Sequence, residues 1–154
     1  CSILGIPFQI YQHCLPDQNK DLKLFYENNK IEYETFNFSN NLAQYFSKVN
    51  FAITRAGSSV LAELSNSKIP FVSVPLPSSA DNHQLKNAVY YQKKNFAFLI
   101  EEKDLNDKLL YLIREIYEDN SKLKKIKQNL SKYSDESVYK NIDRELKKII
   151  DEKN

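Results

Sequence analysis

Five short runs rich in β-branched and aromatic residues, at 8–13, 31–36, 51–54, 71–75 and 96–100, alternate with segments whose apolar residues recur at helical spacing. Strands separated by helices are the signature of a parallel sheet, because a parallel pair needs a long crossover and a helix is the usual one. Leu22, Phe25 and Tyr26 form one apolar face; Leu42, Tyr45 and Phe46 the next; Val60, Leu61 and Leu64 a third; Leu85, Ala88 and Val89 a fourth. Each helix therefore has one side to lay on the sheet. The expected class is α/β, a Rossmann-like parallel sheet with flanking helices.

After residue 100 the strand-like runs stop and a helical tail begins. Its apolar spacings are Leu105/Leu109/Leu112/Ile113/Ile116, then Leu123/Ile126/Leu130, then Val138/Ile142/Leu146/Ile149. No repeat or low-complexity linker interrupts the chain, so residues 1–154 read as one domain, with 103–154 its C-terminal helices. At 154 residues, 42% of them hydrophobic and with nine Phe and ten Tyr, the chain carries enough apolar surface for a globular core.

The charge balance is nearly even, 22 basic against 20 acidic residues for a net +2. That is too balanced to imply nucleic-acid binding by itself, and no nucleic-acid partner is expected. Cys1 and Cys14 are the only cysteines; without a Cys-x-x-Cys spacing they make neither a disulfide framework nor a zinc site, and a reducing cytosol is the simplest compartment. No run approaches the ~18–20 apolar residues that span a bilayer, and nothing resembles a signal peptide. The Lys-rich stretch 122–132 reads either as a solvated helix face or as a contact with an anionic membrane surface. The opening Cys1-Ser2-Ile3-Leu4-Gly5-Ile6-Pro7 looks like a helix tail with a glycine cap, and with no initiating Met the sequence is expected to be a fragment.

Chemistry concentrates in two clusters. The chain has two glycines, against a usual share of about 7%, so one is expected only where the backbone demands it. Gly57 lies where the 51–54 run gives way to a helix-like run, in the turn Arg55-Ala56-Gly57-Ser58-Ser59. A tight strand-to-helix turn aims the free amides of a helix N-terminus beyond the carboxyl end of the strand, where open α/β sheets bind ligands, and these favour an anion such as phosphate. Ser58 or Ser59 could instead simply cap the helix. Glu63, one turn after Ser59, could accept hydrogen bonds from the paired hydroxyls of a sugar, or merely be solvated. No Gly-Lys-Ser/Thr follows at P-loop spacing.

The second cluster is Pro75-Leu76-Pro77-Ser78-Ser79-Ala80-Asp81-Asn82-His83-Gln84-Leu85-Lys86-Asn87-Ala88. Its prolines end the fourth strand-like run, and Asp81 is placed to cap the next helix. His83, Gln84 and Asn87 project from one region near the helix start, with donors and acceptors suited to sugar hydroxyls. For His83 alone an ordinary surface or capping role is the simpler reading. His13 and His83 lack the companions of a metal site, and no cofactor is expected.

Taken together, residues 52–63, 69–77 and 80–88 resemble the C-terminal half of the MurG-type glycosyltransferases. That family moves N-acetylglucosamine from UDP-N-acetylglucosamine onto lipid-linked muramyl-pentapeptide in peptidoglycan synthesis. The resemblance spans roughly residues 3–115 and rests on two motifs at the right separation. It implies the donor-binding half of a two-domain GT-B enzyme, acting at the cytoplasmic face of the plasma membrane as a peripheral protein.

Carried over position by position, the resemblance places the backbone near Ser39 against uracil, and Ser58 and Ser59 near the diphosphate. The turn and helix from Gly57 through Val60, Leu61 and Ala62 belong to the same substrate-binding segment. Glu63 would hold the ribose, while Gln84 and Asn87, with His83 beside them, would address the N-acetylglucosamine ring. Arg55 would either brace the turn or offset diphosphate charge. The family's other glycine-rich phosphate loop, its acceptor domain, its membrane patch and the residues that activate the acceptor hydroxyl are expected upstream, so no catalytic residue is assigned here. A split enzyme with a separate membrane-bound partner and a non-catalytic UDP-sugar module are the competing readings.

Overall fold

The computed structural model describes residues 7–37 and 42–132. The expected helix around Val138–Ile149 positions, the opening around Gly5, and Ser39 lie outside the described residues. Strands β1 (Gln9–His13), β2 (Glu32–Phe36), β3 (Ala52–Arg55), β4 (Phe71–Val74) and β5 (Ala97–Leu99) alternate with helices α1 (Asn19–Asn28), α2 (Ala43–Phe46), α3 (Ser58–Asn66) and α4 (His83–Lys93). Helices α5 (Leu105–Glu118) and α6 (Ser121–Ser131) follow. Every ladder is parallel.

Among the described residues the strands form two ladders, β1-β2 and β3-β4-β5, where a single sheet was expected. β4 is the central strand of the larger ladder, and all four of its residues are buried. A strand covered on both faces has no polar side to alternate, hence the continuous Phe71-Val72-Ser73-Val74 run. Phe71 packs with Leu61, Leu64, Ala88 and Tyr91 beneath α3 and α4, whereas Val72 and Val74 pack with Ile100 and Leu112 beneath α5. The two buried serines of the core have satisfied hydroxyls: Ser65 Oγ donates to Leu61 O (2.7 Å), and Ser73 Oγ crosses to Phe98 O on β5 (3.1 Å). Truncating Phe71 to Ala in such a site costs about 3–5 kcal/mol.

The smaller ladder is held by aromatic contacts. Tyr45 stacks on Phe36 with centroids 3.9 Å apart, and Tyr26 stacks on Tyr33 at 5.0 Å. Two helix faces depart from the pattern expected. Phe25 is 56% exposed and Leu85 37% exposed, and the inward positions are taken by Tyr26 on α1 and by Ala88 and Tyr91 on α4.

Three helices return to strands through one device. Past α1, α3 and α4, the left-handed residues Lys30 (φ 52°), Lys68 (φ 59°) and Asn95 (φ 54°) precede an apolar residue. The amides of Ile31, Ile69 and Phe96 reach back to Tyr26 O, Leu64 O and Tyr91 O at 2.9–3.0 Å. This is the Schellman closure, which glycine usually occupies because a Cβ is penalised at positive φ. A chain nearly without glycine accepts that penalty three times, and each closure delivers the next strand to the sheet.

Candidate functional site

The site lies where β3 and β4 end. α3 starts directly after β3, and its N-cap is Gly57, with extended φ −69° and ψ 138° and no side-chain cap. The alternative in which Ser58 or Ser59 simply caps the helix does not hold: both are inside it, exposed, in the first turn. The first amide to find a helical acceptor is that of Leu61, bonded to Gly57 O at 3.1 Å. The amides of Ser58, Ser59 and Val60 have no acceptor among the described residues. A helix start normally recruits a side-chain oxygen to such groups; here they stay open to an anion, at the positive end of the helix dipole.

The reason for the glycine also needs correction. Its φ is one any residue adopts, and a Cβ at Gly57 meets only Val60 Cγ1 at 3.8 Å, an ordinary contact. The fold does not demand glycine here. What glycine leaves at this position is bare backbone, which admits close approach by a ligand.

Along α3, Leu61 is fully buried and serves to seat the helix on the core, while Val60 packs at the edge of that core and Ala62 is half-buried. Glu63 is exposed, and its carboxylate makes no hydrogen bond or ion pair with the described residues. Arg55 is already engaged: its Nη2 lies 2.6 Å from Glu102 Oε1, just beyond β5.

The loop after β4 approaches the same turn. Pro75 and Pro77 end the strand, and a 3-10 turn at Ala80–Asn82 leads into α4. Asp81 does not cap α4, as had been expected. Asp81 (φ 48°) and Asn82 (φ 53°) are both left-handed, a conformation their short polar side chains tolerate best among non-glycine residues, and Asn82 is the N-cap position with no side-chain bond. His83 Nδ1 lies 2.7 Å from Ala80 O. Since a carbonyl only accepts, Nδ1 carries the proton in this contact.

Gln84 and Asn87 reach across to the β3–α3 turn. Gln84 Oε1 accepts from Ala56 N at 3.2 Å and Leu76 N at 3.0 Å, and Asn87 Nδ2 donates to Ala56 O at 3.1 Å. Arg55, Gly57, Ser58, Ser59, Gln84 and Asn87 are thus brought to one place, with Glu63 one turn along α3 and His83 at the start of α4. Nothing in the spacing pointed to Glu102, which is 47 residues from Arg55.

Residues 4–144 match the model described as the glycosyltransferase family 28 C-terminal domain. The chain belongs to that family. A UDP-N-acetylglucosamine–N-acetylmuramyl-(pentapeptide) pyrophosphoryl-undecaprenol N-acetylglucosamine transferase of Pelagibacter ubique is 33% identical over 145 residues, 94% of this chain. The enzyme of that name from Rickettsia akari is 38% identical over 120 residues, 73% of this chain. The crystal structure of Acinetobacter baumannii MurG matches with a TM-score of 0.74 at 20% identity, covering 86% of this chain and 39% of that one; the likeness is one of fold. This family 28 domain spans 41% of the length of the Pelagibacter relative and 31% of the Rickettsia one. Among its described residues no helix is long and apolar enough to cross a membrane, and no group of side chains could hold a metal ion.

Proposed function

We propose that this chain is the UDP-N-acetylglucosamine-binding half of a hexosyltransferase that transfers N-acetylglucosamine to undecaprenyl-diphospho-muramyl-pentapeptide in peptidoglycan synthesis. One observation carries the reading: three unpaired amides at a glycine-capped helix start, at the carboxyl ends of adjacent parallel strands, with two amide side chains joined to the same turn. The amides of Ser58, Ser59 and Val60 take the diphosphate. Glu63 takes the ribose hydroxyls, His83, Gln84 and Asn87 line the sugar end, and the segment near Ser39 faces uracil.

In this reading the helix start does its work as the bond from sugar to UDP breaks. Negative charge then gathers on the diphosphate, and fixed amides with the α3 dipole stabilise it without reorganising. The acceptor comes from a second domain, and residues 1–154 form one donor-binding domain whose helices from 103 onward are its C-terminal part. Strand order supports this: β2-β1 and β3-β4-β5 correspond to 3-2 and 4-5-6 of the doubly wound order 3-2-1-4-5-6. We place strand 1, with its glycine-rich phosphate loop, between β1 and β3. A peripheral position on the cytoplasmic face of the plasma membrane follows from the lipid-linked acceptor.

Titration with UDP-N-acetylglucosamine, followed by amide resonances, tests the reading. Saturable shifts confined to Ser58, Ser59, Val60 and the start of α4 are expected, with weaker binding of UDP-glucose and UDP-galactose. Shifts that stay linear in ligand, or that fall elsewhere, sink it.

A further inference from the structure

Gln84 sits on α4, yet its oxygen is committed to two backbone amides from two different loops, Ala56 N before α3 and Leu76 N after β4. Both partners are donors, so the orientation of the side-chain amide is fixed, with Oε1 inward and both lone pairs used. Asn87, nearly one turn along, holds Ala56 from its other side by donating to its carbonyl. Ala56 is fully buried and immediately precedes the N-cap Gly57. Both hydrogen-bonding groups of its backbone are thus set by α4 side chains, and the direction of the following three amides is set with them.

We propose that Gln84 is a positioning residue for the diphosphate end of the site: it locks the β4–α4 loop to the β3–α3 turn and so aims the free amides of Ser58, Ser59 and Val60. This rests on the donor-site reading given above, and it assigns Gln84 a role that does not depend on touching the sugar. Removing it affects any ligand that carries the diphosphate, with or without a sugar. A residue that acts only by contacting N-acetylglucosamine affects the sugar nucleotide alone. Gln84→Leu keeps the approximate volume and removes the acceptor. Gln84→Glu keeps an oxygen able to accept both amides.

The experiment compares wild-type chain, Gln84→Leu and Gln84→Glu by amide resonances and by titration with UDP and with UDP-N-acetylglucosamine at one pH. In Gln84→Leu the amide resonances of Ala56 and Leu76 move upfield, and affinity for both nucleotides falls by a similar factor, about tenfold. In Gln84→Glu those two resonances return to hydrogen-bonded positions. A loss confined to UDP-N-acetylglucosamine, unchanged affinity for both ligands, or unmoved Ala56 and Leu76 resonances overturns the proposal. If Gln84→Leu does not fold, Gln84→Glu decides through the same two resonances, and their loss in a folded protein overturns the lock. Failure of the wild-type chain to bind either nucleotide overturns the donor-site reading and the aiming role with it, while the two resonances still report separately whether the lock exists.

Discussion

Arg55 at the end of β3 donates to Glu102, just past β5, at 2.6 Å, so that β3 is tied to β5 across the end of the buried β4. Both side chains are nearly half exposed, at 48% and 42%. Solvent screening limits such a pair to about 0–1 kcal/mol of stability. Its larger consequence is for charge: while Glu102 holds the guanidinium, the site mouth carries a neutral pair in place of a cation.

Glu102→Gln is therefore expected to shift the melting temperature little and to strengthen UDP-N-acetylglucosamine binding several-fold at low ionic strength. The gain should fade as salt rises, because a freed surface cation is screened. Unchanged affinity at low salt would show that Arg55 only braces the turn.

The left-handed Lys30 gives a stability prediction independent of function. A Cβ at φ 52° is strained by about 1–2 kcal/mol, and glycine removes the strain at some cost in unfolded-chain entropy. Lys30→Gly should raise stability by a few tenths to about 1 kcal/mol, read from urea midpoints at unchanged slope. A lower midpoint would mean that the Lys30 side chain contributes more than its backbone costs.

Asp119 ties the start of α6. Its Oδ1 accepts the amide of Ser121 at 2.9 Å and its Oδ2 the Ser121 hydroxyl at 2.8 Å. Those bonds, first the backbone one, hold its carboxyl below the usual Asp range, with Lys122 and Lys124 adding to the effect. A depressed folded-state value means that the unfolded chain takes up the proton first. The stabilisation is complete above the ordinary Asp value and is lost as pH falls through the lowered one. Helicity and hydrogen-exchange protection at residues 121–131 should weaken over that acidic window. In Asp119→Asn that part of the pH dependence should be missing.

Much of the fold was legible because period and turn chemistry are local. All five strand-like runs became strands, and β4 announced its burial on both faces by having no polar alternation beyond Ser73. Phe25 and Leu85 misled because helical spacing defines a stripe without saying which edge of it the sheet covers, and Tyr26 and Tyr91 bring larger surfaces to the core. The Schellman closures were hidden since the usual marker, glycine, is replaced by Lys30, Lys68 and Asn95; the apolar residue after each was the signal to read. In the site, Gly57 and the amide-rich start of α4 stood out by composition. Their connection did not, because Gln84 on α4 and Ala56, like Glu102 and Arg55, lie at or past the ends of different strands, which only the parallel order brings together.

Gly57 separates folding from binding. A Cβ there finds no clash, and the backbone is already in a common conformation. Alanine is a poorer N-cap than glycine but loses less entropy on folding, so the two effects oppose each other and the net change should stay within about 1 kcal/mol. Gly57→Ala is thus expected to melt close to wild type and yet bind UDP-N-acetylglucosamine much more weakly, since the methyl group occupies the approach to the α3 amides. If calorimetry finds wild-type affinity, close ligand approach is not why glycine stands here.

Glu63 provides the complementary case, a side chain with no structural duty. It is exposed, has no hydrogen bond or ion pair to the described residues, and sits in a helix where alanine is the better former. Glu63→Ala should leave stability unchanged within about 0.5 kcal/mol. If the carboxylate receives the ribose hydroxyls, the loss of charge-assisted hydrogen bonds costs about 1.5–3 kcal/mol of binding, roughly ten- to hundredfold in affinity. Repeating the titration with a 2′-deoxyuridine diphosphate sugar separates the possibilities. Wild type should bind that analogue more weakly than the ribose form, while Glu63→Ala should bind the two nearly alike. Equal discrimination by both proteins would move the ribose contact to another residue and leave Glu63 as solvated surface.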